Sequence, residues 1–195
     1  KGRLEDHDIR EASVRALAER FHVNIAKAER VATTSQALLA QVADSWSLNP
    51  RESSQLLRWA AFLYPVGLDI SHSDYHKHSA YIVQNVDIAG CSRAEQTQLA
   101  ALVRCHRKSL RPKHFADAGT ELIPLAIILR LAHIFHRTRR HSMPEGVTLS
   151  GKKKNVELSI PRAWLEANPL TYADLESEAR YQGNAGFELQ VVPID

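Results

Sequence analysis

Hydrophobic periodicity changes once along this chain, and that change limits the folds open to it. Up to residue 141 apolar side chains recur three and four apart, whereas beyond it they alternate. Ile9, Ala12, Val14, Leu17 and Phe21 predict a helix over Asp8–Phe21. Asn24 is placed to cap a long helix whose stripe runs Ile25, Ala28, Val31, Ala32, Leu38, Leu39, Val42 and Trp46. Asn49-Pro50 marks a turn and a new first helical turn, where proline is tolerated. The helix that follows carries Leu56, Leu57, Ala60, Leu63 and Tyr64, and should end near Pro65 and Gly67. Ser73 or Asp74 is the expected cap of a helix bearing His76, His78, Tyr81 and Ile82. Ser92 with Glu95 three residues on spells a capping box, for a helix running through Leu99, Leu102 and Val103 to Arg104. Residues 109–120 read as a loop. A last helix places Ile123, Ile127, Leu131, Ile134 and Phe135 on one side.

Pro144 and Gly146 then break the pattern. Val156, Leu158 and Ile160 alternate with polar residues, as do Phe187, Leu189 and Val191, which is the mark of half-buried strands. Val147–Leu149 is a shorter strand candidate, Gly151–Asn155 its hairpin loop, and Thr171–Tyr181 an intervening helix. The reading is a mainly α protein, with a helical domain over 1–141 followed by a small α+β domain over 142–195. Charge divides at the same point. Residues 1–141 hold 20 Lys/Arg against 14 Asp/Glu, while 142–195 hold five against eight. The chain has 195 residues, enough for a sizeable core.

Several classes are excluded. No run of about 18 apolar residues exists, so no transmembrane helix is expected. The start, Lys1-Gly2-Arg3-Leu4-Glu5-Asp6, lacks a signal core and an initiator Met, as expected of a piece of a longer protein. Cys91 and Cys105 make no disulfide framework, which points to a reducing cytoplasm; a peripheral position at the inner membrane is the alternative location.

The basic character is concentrated. Arg104, Arg107, Lys108, Arg111 and Lys113, with His106 and His114, precede any acid until Asp117. On a helix continuing past Arg104, Arg104, Arg107 and Lys108 would share one face. His76-Lys77-His78 lies on the preceding helix. Guanidinium forks bind phosphate oxygens in pairs, and lysine acts as a mobile point charge. Most charged runs only solvate a surface, but this one has no compensating acid. His72, His76 and His78 also invite a metal reading. Residues two apart diverge on a helix, so anion binding is preferred. Nothing resembles a nucleophile–base–orienter set or a glycine-rich phosphate loop.

With these residues in view, the chain resembles the C-terminal half of the exopolyphosphatase / guanosine pentaphosphate phosphohydrolase family over nearly its whole length. The resemblance rests on Leu57-Arg58-Trp59-Ala60-Ala61-Phe62-Leu63, Val66-Gly67-Leu68 and His76-Lys77-His78-Ser79-Ala80-Tyr81-Ile82. Leu102 to Lys108 and Leu129-Arg130-Leu131-Ala132 follow in order. It implies an HD-like helical domain, then a small α+β domain. It also implies actin-like catalytic domains upstream, a homodimer, and inorganic polyphosphate as the ligand. Mg²⁺ is expected for the full-length enzyme, with no cofactor in this chain. The positions where HD-type phosphohydrolases hold metal fall at Lys27, Tyr64-Pro65 and His133. None of the expected ligands is kept, so no metal and no catalytic residue is assigned. The expected polyphosphate contacts are His76, Lys77, His78, Arg104, His106, Arg107, Lys108 and Arg111. The rival readings are a self-contained HD-type metal-dependent phosphohydrolase, a nucleic-acid-binding module and a pure dimerisation module. No aromatic residue interleaves the basic run before Phe115, so base stacking, and with it nucleic acid as partner, has little support.

Overall fold

Asparagine caps and one buried helix organise the first part of the fold. A computed structural model describes residues 2–137 and 142–195, with side chains from residue 9 onward. Helix α1 (Gly2–Arg20) begins earlier than the periodicity predicts and buries Val14, Leu17 and Ala18. Helix α2 (Ile25–Val42) is capped by Asn24, whose side chain accepts from the Lys27 N–H at 3.0 Å. Helix α3 (Pro50–Leu63) repeats the device with Asn49 accepting from the Glu52 N–H at 3.1 Å, and Pro50 stands in its first turn. The chain then tightens into a 3-10 turn, Val66–Asp69. Helix α5 (Arg93–Arg104) opens with the Ser92–Glu95 capping box in full. In helix α6 (Ile123–Phe135) every residue except Pro124 is buried, and the helical layer wraps around it.

Two expectations fail here for local reasons. Helix α4 (Tyr75–Asn85) has no side-chain cap from Ser73 or Asp74. Asp74 is left-handed, at φ 54°, and its carboxylate turns to Lys77 Nζ at 3.5 Å instead. Helix α5 ends at Arg104 as the sequence predicts, so Arg107 and Lys108 do not share a helical face with Arg104, and Lys108 adopts φ 59°. A left-handed residue cannot continue a right-handed helix.

The second part is a three-stranded sheet in the order β1 (Thr148–Lys152), β2 (Asn155–Pro161), β3 (Glu188–Ile194). Strands β1 and β2 pair antiparallel with Leu149 opposite Leu158, and β2 pairs parallel to β3 with Val156 opposite Leu189. The expected five-residue loop is in fact a two-residue turn, Lys153-Lys154, because Lys152 and Asn155 pair across the hairpin. Lys153 supplies the positive φ that such turns need, at 54°. A parallel pair needs a long crossover. It is supplied by α7 (Arg162–Ala167), which the periodicity did not reveal, and α8 (Pro169–Gly183).

The sheet is fastened to the helices by specific bonds. The Leu149 N–H donates to Gln41 Oε1 at 2.8 Å, and Trp46 Nε1 donates to the Lys153 carbonyl at 3.1 Å. The buried apolar cluster runs without interruption from α1 to β3. The expected boundary at 141 lies outside the described residues. No helix among them is long and apolar enough to cross a membrane.

Candidate anion-binding site

The start of α4 is pressed onto the turn that follows α3. A Cβ on Gly67 would stand 2.2 Å from the Tyr75 carbonyl oxygen, so only glycine admits this approach. Ser79 completes the junction: its Oγ accepts from the Gly67 N–H at 2.8 Å and donates to the Tyr64 carbonyl at 2.6 Å. Tyr75 and His76 are thereby turned inward, while Lys77 remains exposed and His78 half-buried.

Behind this junction lies a compact cluster of rings. His106 stacks on Tyr64 with centroids 4.4 Å apart and meets His133 edge-on at 5.0 Å. Its Nδ1 lies 2.6 Å from the Val103 carbonyl, an acceptor only, so Nδ1 carries the proton. Nε2 then accepts from the Tyr75 hydroxyl at 3.0 Å. Burial holds all three histidines of this region neutral. His76 is pushed down to about 4 by desolvation, aided by Arg104 and Arg107. His106 lies well below its ordinary value through burial and the neighbouring His133. His133 does so through burial, Arg137 and Lys27. Burial likewise raises the Tyr64 and Tyr75 phenols.

The basic loop is held over this cluster by Arg130, which is only 1% exposed. Its Nη1 donates to the Cys105 carbonyl at 2.6 Å and its Nη2 to the Lys108 carbonyl at 2.8 Å. Nε donates to Glu178 on α8 at 2.8 Å. Arg107 packs its guanidinium over the Tyr75 ring at 4.8 Å. Lys108 and Arg111 are exposed. The eight expected contacts therefore divide. Lys77, His78, Arg104, Arg107, Lys108 and Arg111 reach the surface to some degree. His76 and His106 do not, at 2% and 1% exposure, and being neutral they add no positive charge. Held neutral, those two rings do not strengthen anion binding as pH falls toward 6. Buried polar atoms without a partner gather around the loop: Arg104 Nη1, His76 Nδ1 and His114 Nδ1.

Sequence reasoning missed Arg130, Glu178, Tyr75 and Arg137 as parts of this region. One signal was available, since Arg130 is the only Lys, Arg, Asp or Glu in the apolar run from Ile123 to Ile134.

Lys27, Tyr64, Pro65 and His133, far apart in sequence, line one cleft of about 760 Å³. Its other walls include Phe21, Asn24, Arg30 and Tyr75, with His22 and Asp69 paired at 2.8 Å. This donor set does not fit a metal. Pro65 offers no ligating atom, and an ammonium repels a cation. No group of three or more His, Cys, Asp or Glu among the described residues is arranged to hold one.

Fold and surface together define a mainly helical domain with a small α+β extension, basic where its Arg104–Arg111 loop emerges. Residues 9–179 match the family description "Ppx/GppA phosphatase, domain III", and the chain belongs to that family. A guanosine-5'-triphosphate,3'-diphosphate pyrophosphatase of Vibrio cholerae serotype O1 is 34% identical over 190 residues, 96% of this chain. Proteins of the same description from Photobacterium profundum and Pseudoalteromonas translucida are 31% and 30% identical over 96% of the chain. In each case the chain spans 38% of the relative's length.

Proposed function

We propose that this chain is the polyphosphate-binding and dimerising C-terminal region of an exopolyphosphatase-type hydrolase. In this reading the full-length enzyme removes terminal phosphates from inorganic polyphosphate, and its actin-like N-terminal domains carry the catalysis and the Mg²⁺. The observation that carries the reading is the loop from Arg104 to Arg111. It carries four cations, Arg104, Arg107, Lys108 and Arg111, with no acid among them, and Arg130 anchors its backbone. A linear polyanion repeats the same charges, so many modest contacts accumulate by effective concentration. His76 and His106 act from behind, by fixing Tyr75 and the end of α5. No nucleic-acid partner belongs to this reading.

The relatives' description favours a second substrate, guanosine-5'-triphosphate,3'-diphosphate, whose phosphates the same cations would meet. The experiment is binding of labelled long-chain polyphosphate to this chain, with the guanosine nucleotide as competitor. Lys108→Ala with Arg111→Ala should weaken polyphosphate binding about ten-fold, and affinity should fall with salt as surface charge is screened. Lys152→Ala with Lys153→Ala is the charge control. Affinity indifferent to salt and to the loop variant would defeat the proposal. Sedimentation of the chain tests the homodimer.

A further inference from the structure

The seam between α6 and α8 is polar, where packed helices usually meet on apolar faces. Arg130, His133, Ile134 and Arg137 line it at helical spacing on one side, and Asp174, Ser177, Glu178 and Tyr181 on the other. His106, Arg107 and Lys108 of the basic loop complete a pocket of about 170 Å³. One water takes roughly 30 Å³, so the space admits a tetrahedral oxyanion. The lining holds four cations against two carboxylates. Arg130 is spent on Glu178 and on the two loop carbonyls. Arg137 meets Asp174 at 3.0 Å, but both side chains are partly exposed, and such pairs contribute little. Arg107 and Lys108 make no ion pair among the described residues. The hydroxyls are similarly uncommitted. Ser177 Oγ receives only a long bond, 3.5 Å, from Arg180, and the Tyr181 hydroxyl has no hydrogen bond among the described residues.

We propose that this pocket binds one phosphate group, resting on the polyphosphate reading only for where that group comes from. Arg107 and Lys108 supply charge from the loop. Arg137 supplies a guanidinium fork by exchanging Asp174 for the ligand. The Ser177 and Tyr181 hydroxyls donate to the remaining oxygens. Arg130 is a positioning residue that holds the loop backbone over α8. Burial, and then Arg137, Lys27, Arg107 and Arg130, hold the His133 ring of the same lining neutral. Three of those cations line the pocket, so its potential is positive in spite of the two carboxylates. The α+β extension thus takes part in phosphate recognition through one face of α8, beyond what the basic loop offers alone. The group is either free orthophosphate or the end of a longer chain, since both present the same oxygens.

Titration calorimetry of this chain with orthophosphate, and separately with tripolyphosphate, tests the site. Ser177→Ala with Tyr181→Phe removes both hydroxyls, leaves every charge and the loop in place, and keeps the ring that lies 5.2 Å from Arg130. It should weaken binding about ten-fold, and so should Arg137→Gln. Asp174→Asn should instead tighten binding several-fold, because it releases Arg137 and removes a like charge. A merely structural role for the Arg137–Asp174 pair predicts no such gain. Thermal unfolding of each variant confirms that it is folded before binding is compared. Saturable orthophosphate binding assigns the pocket to free phosphate, and tripolyphosphate binding alone assigns it to chain ends. No saturable binding of either anion, or binding that the hydroxyl variant and Arg137→Gln both leave unchanged, overturns the site. Arg111 is outside the lining. Long-chain binding by Arg111→Ala therefore tests the outer loop while the hydroxyl variant tests the pocket, and either idea can fail alone.

Discussion

Arg130 and Glu178 form an ion pair buried on both sides, the guanidinium donating from Nε and Nη2 to the carboxylate at 2.8–3.1 Å. One partner belongs to the central helix and the other to the crossover helix of the sheet. The same guanidinium holds two carbonyls of the basic loop, so a single side chain ties three parts of the molecule. Gln182 supports Glu178 with a further bond at 3.0 Å.

Removing one partner should be costly, because a buried charge is then left alone. Glu178→Ala is expected to destabilise by about 3–5 kcal/mol, and Arg130→Met by a similar amount. The double variant should recover part of the loss, but not the two loop carbonyl bonds. Urea unfolding of the four members of the cycle measures this; additive losses would show that the pair does not act as a unit.

The neutral histidines make stability depend on pH. His76, His106 and His133 have folded values below the unfolded value of about 6.5. Above that pH neither state binds the proton and stability is complete. As pH falls below it, the unfolded chain takes up protons that the folded chain refuses, and stability declines. Each histidine contributes at most about 1.4 kcal/mol per pH unit through this window. For His76 the decline should end near a pH of about 4, where its folded form also protonates. Glu29, held low by Arg58, begins to lose its stabilising contribution only as pH falls through the ordinary value of 4.5, at the acid end of this window. Unfolding midpoints between about pH 6.5 and 4.5 should fall, and His76→Gln should make the slope shallower. A flat profile would mean these rings are not held neutral.

Much of this was legible in local sequence. Asn24, Asn49 and Ser92 announced their helices, because a cap needs only a few neighbouring residues. Alternation exposed β2 and β3 in the same way. What escaped depends on partners distant in the chain. Nothing near Arg130 reveals Glu178, 48 residues on, and nothing near Lys108 reveals that its carbonyl is wanted by Arg130. The end of α5 at Arg104 was legible, but the placing of Arg107 and Lys108 off its face was not, because the loop they occupy is held by Arg130 and Tyr75. The basic residues were found, but the burial of His76 and His106 was not, since composition carries no depth.

Gly67 and Ser79 belong to the stretches that carried the family resemblance, and their role here is packing. Gly67→Ala should destabilise by about 1–3 kcal/mol, since a new methyl group meets backbone that cannot give way. Ser79→Ala should cost about 1–3 kcal/mol by leaving the buried Gly67 N–H without its acceptor. Both variants should also loosen Tyr75 and the rings behind it. Thermal unfolding and the NMR line widths of His106 report the two effects; unchanged stability in Gly67→Ala would mean that α4 moves freely off the turn.

Trp46 and Gly151 test how the sheet is held to the helices. The indole lies across the hairpin, donates to the Lys153 carbonyl at 3.1 Å, and meets Phe187 edge-on at 6.3 Å. A Cβ on Gly151 would stand 2.4 Å from the indole Cε2, so alanine there must displace the ring. The expected cost is about 1–3 kcal/mol, the usual range for overpacking. Displacement also breaks the indole bond and exposes Trp46, so its fluorescence should shift to the red along with the loss of stability. Trp46→Phe separates the two contributions: it keeps most of the apolar contact, removes the donor, and should relieve part of the clash in Gly151→Ala. A double variant more stable than Gly151→Ala alone is therefore expected. If Gly151→Ala changes neither fluorescence nor stability, the sheet is not seated on Trp46, and the fastening must rest on Gln41 and the Arg130–Glu178 pair instead.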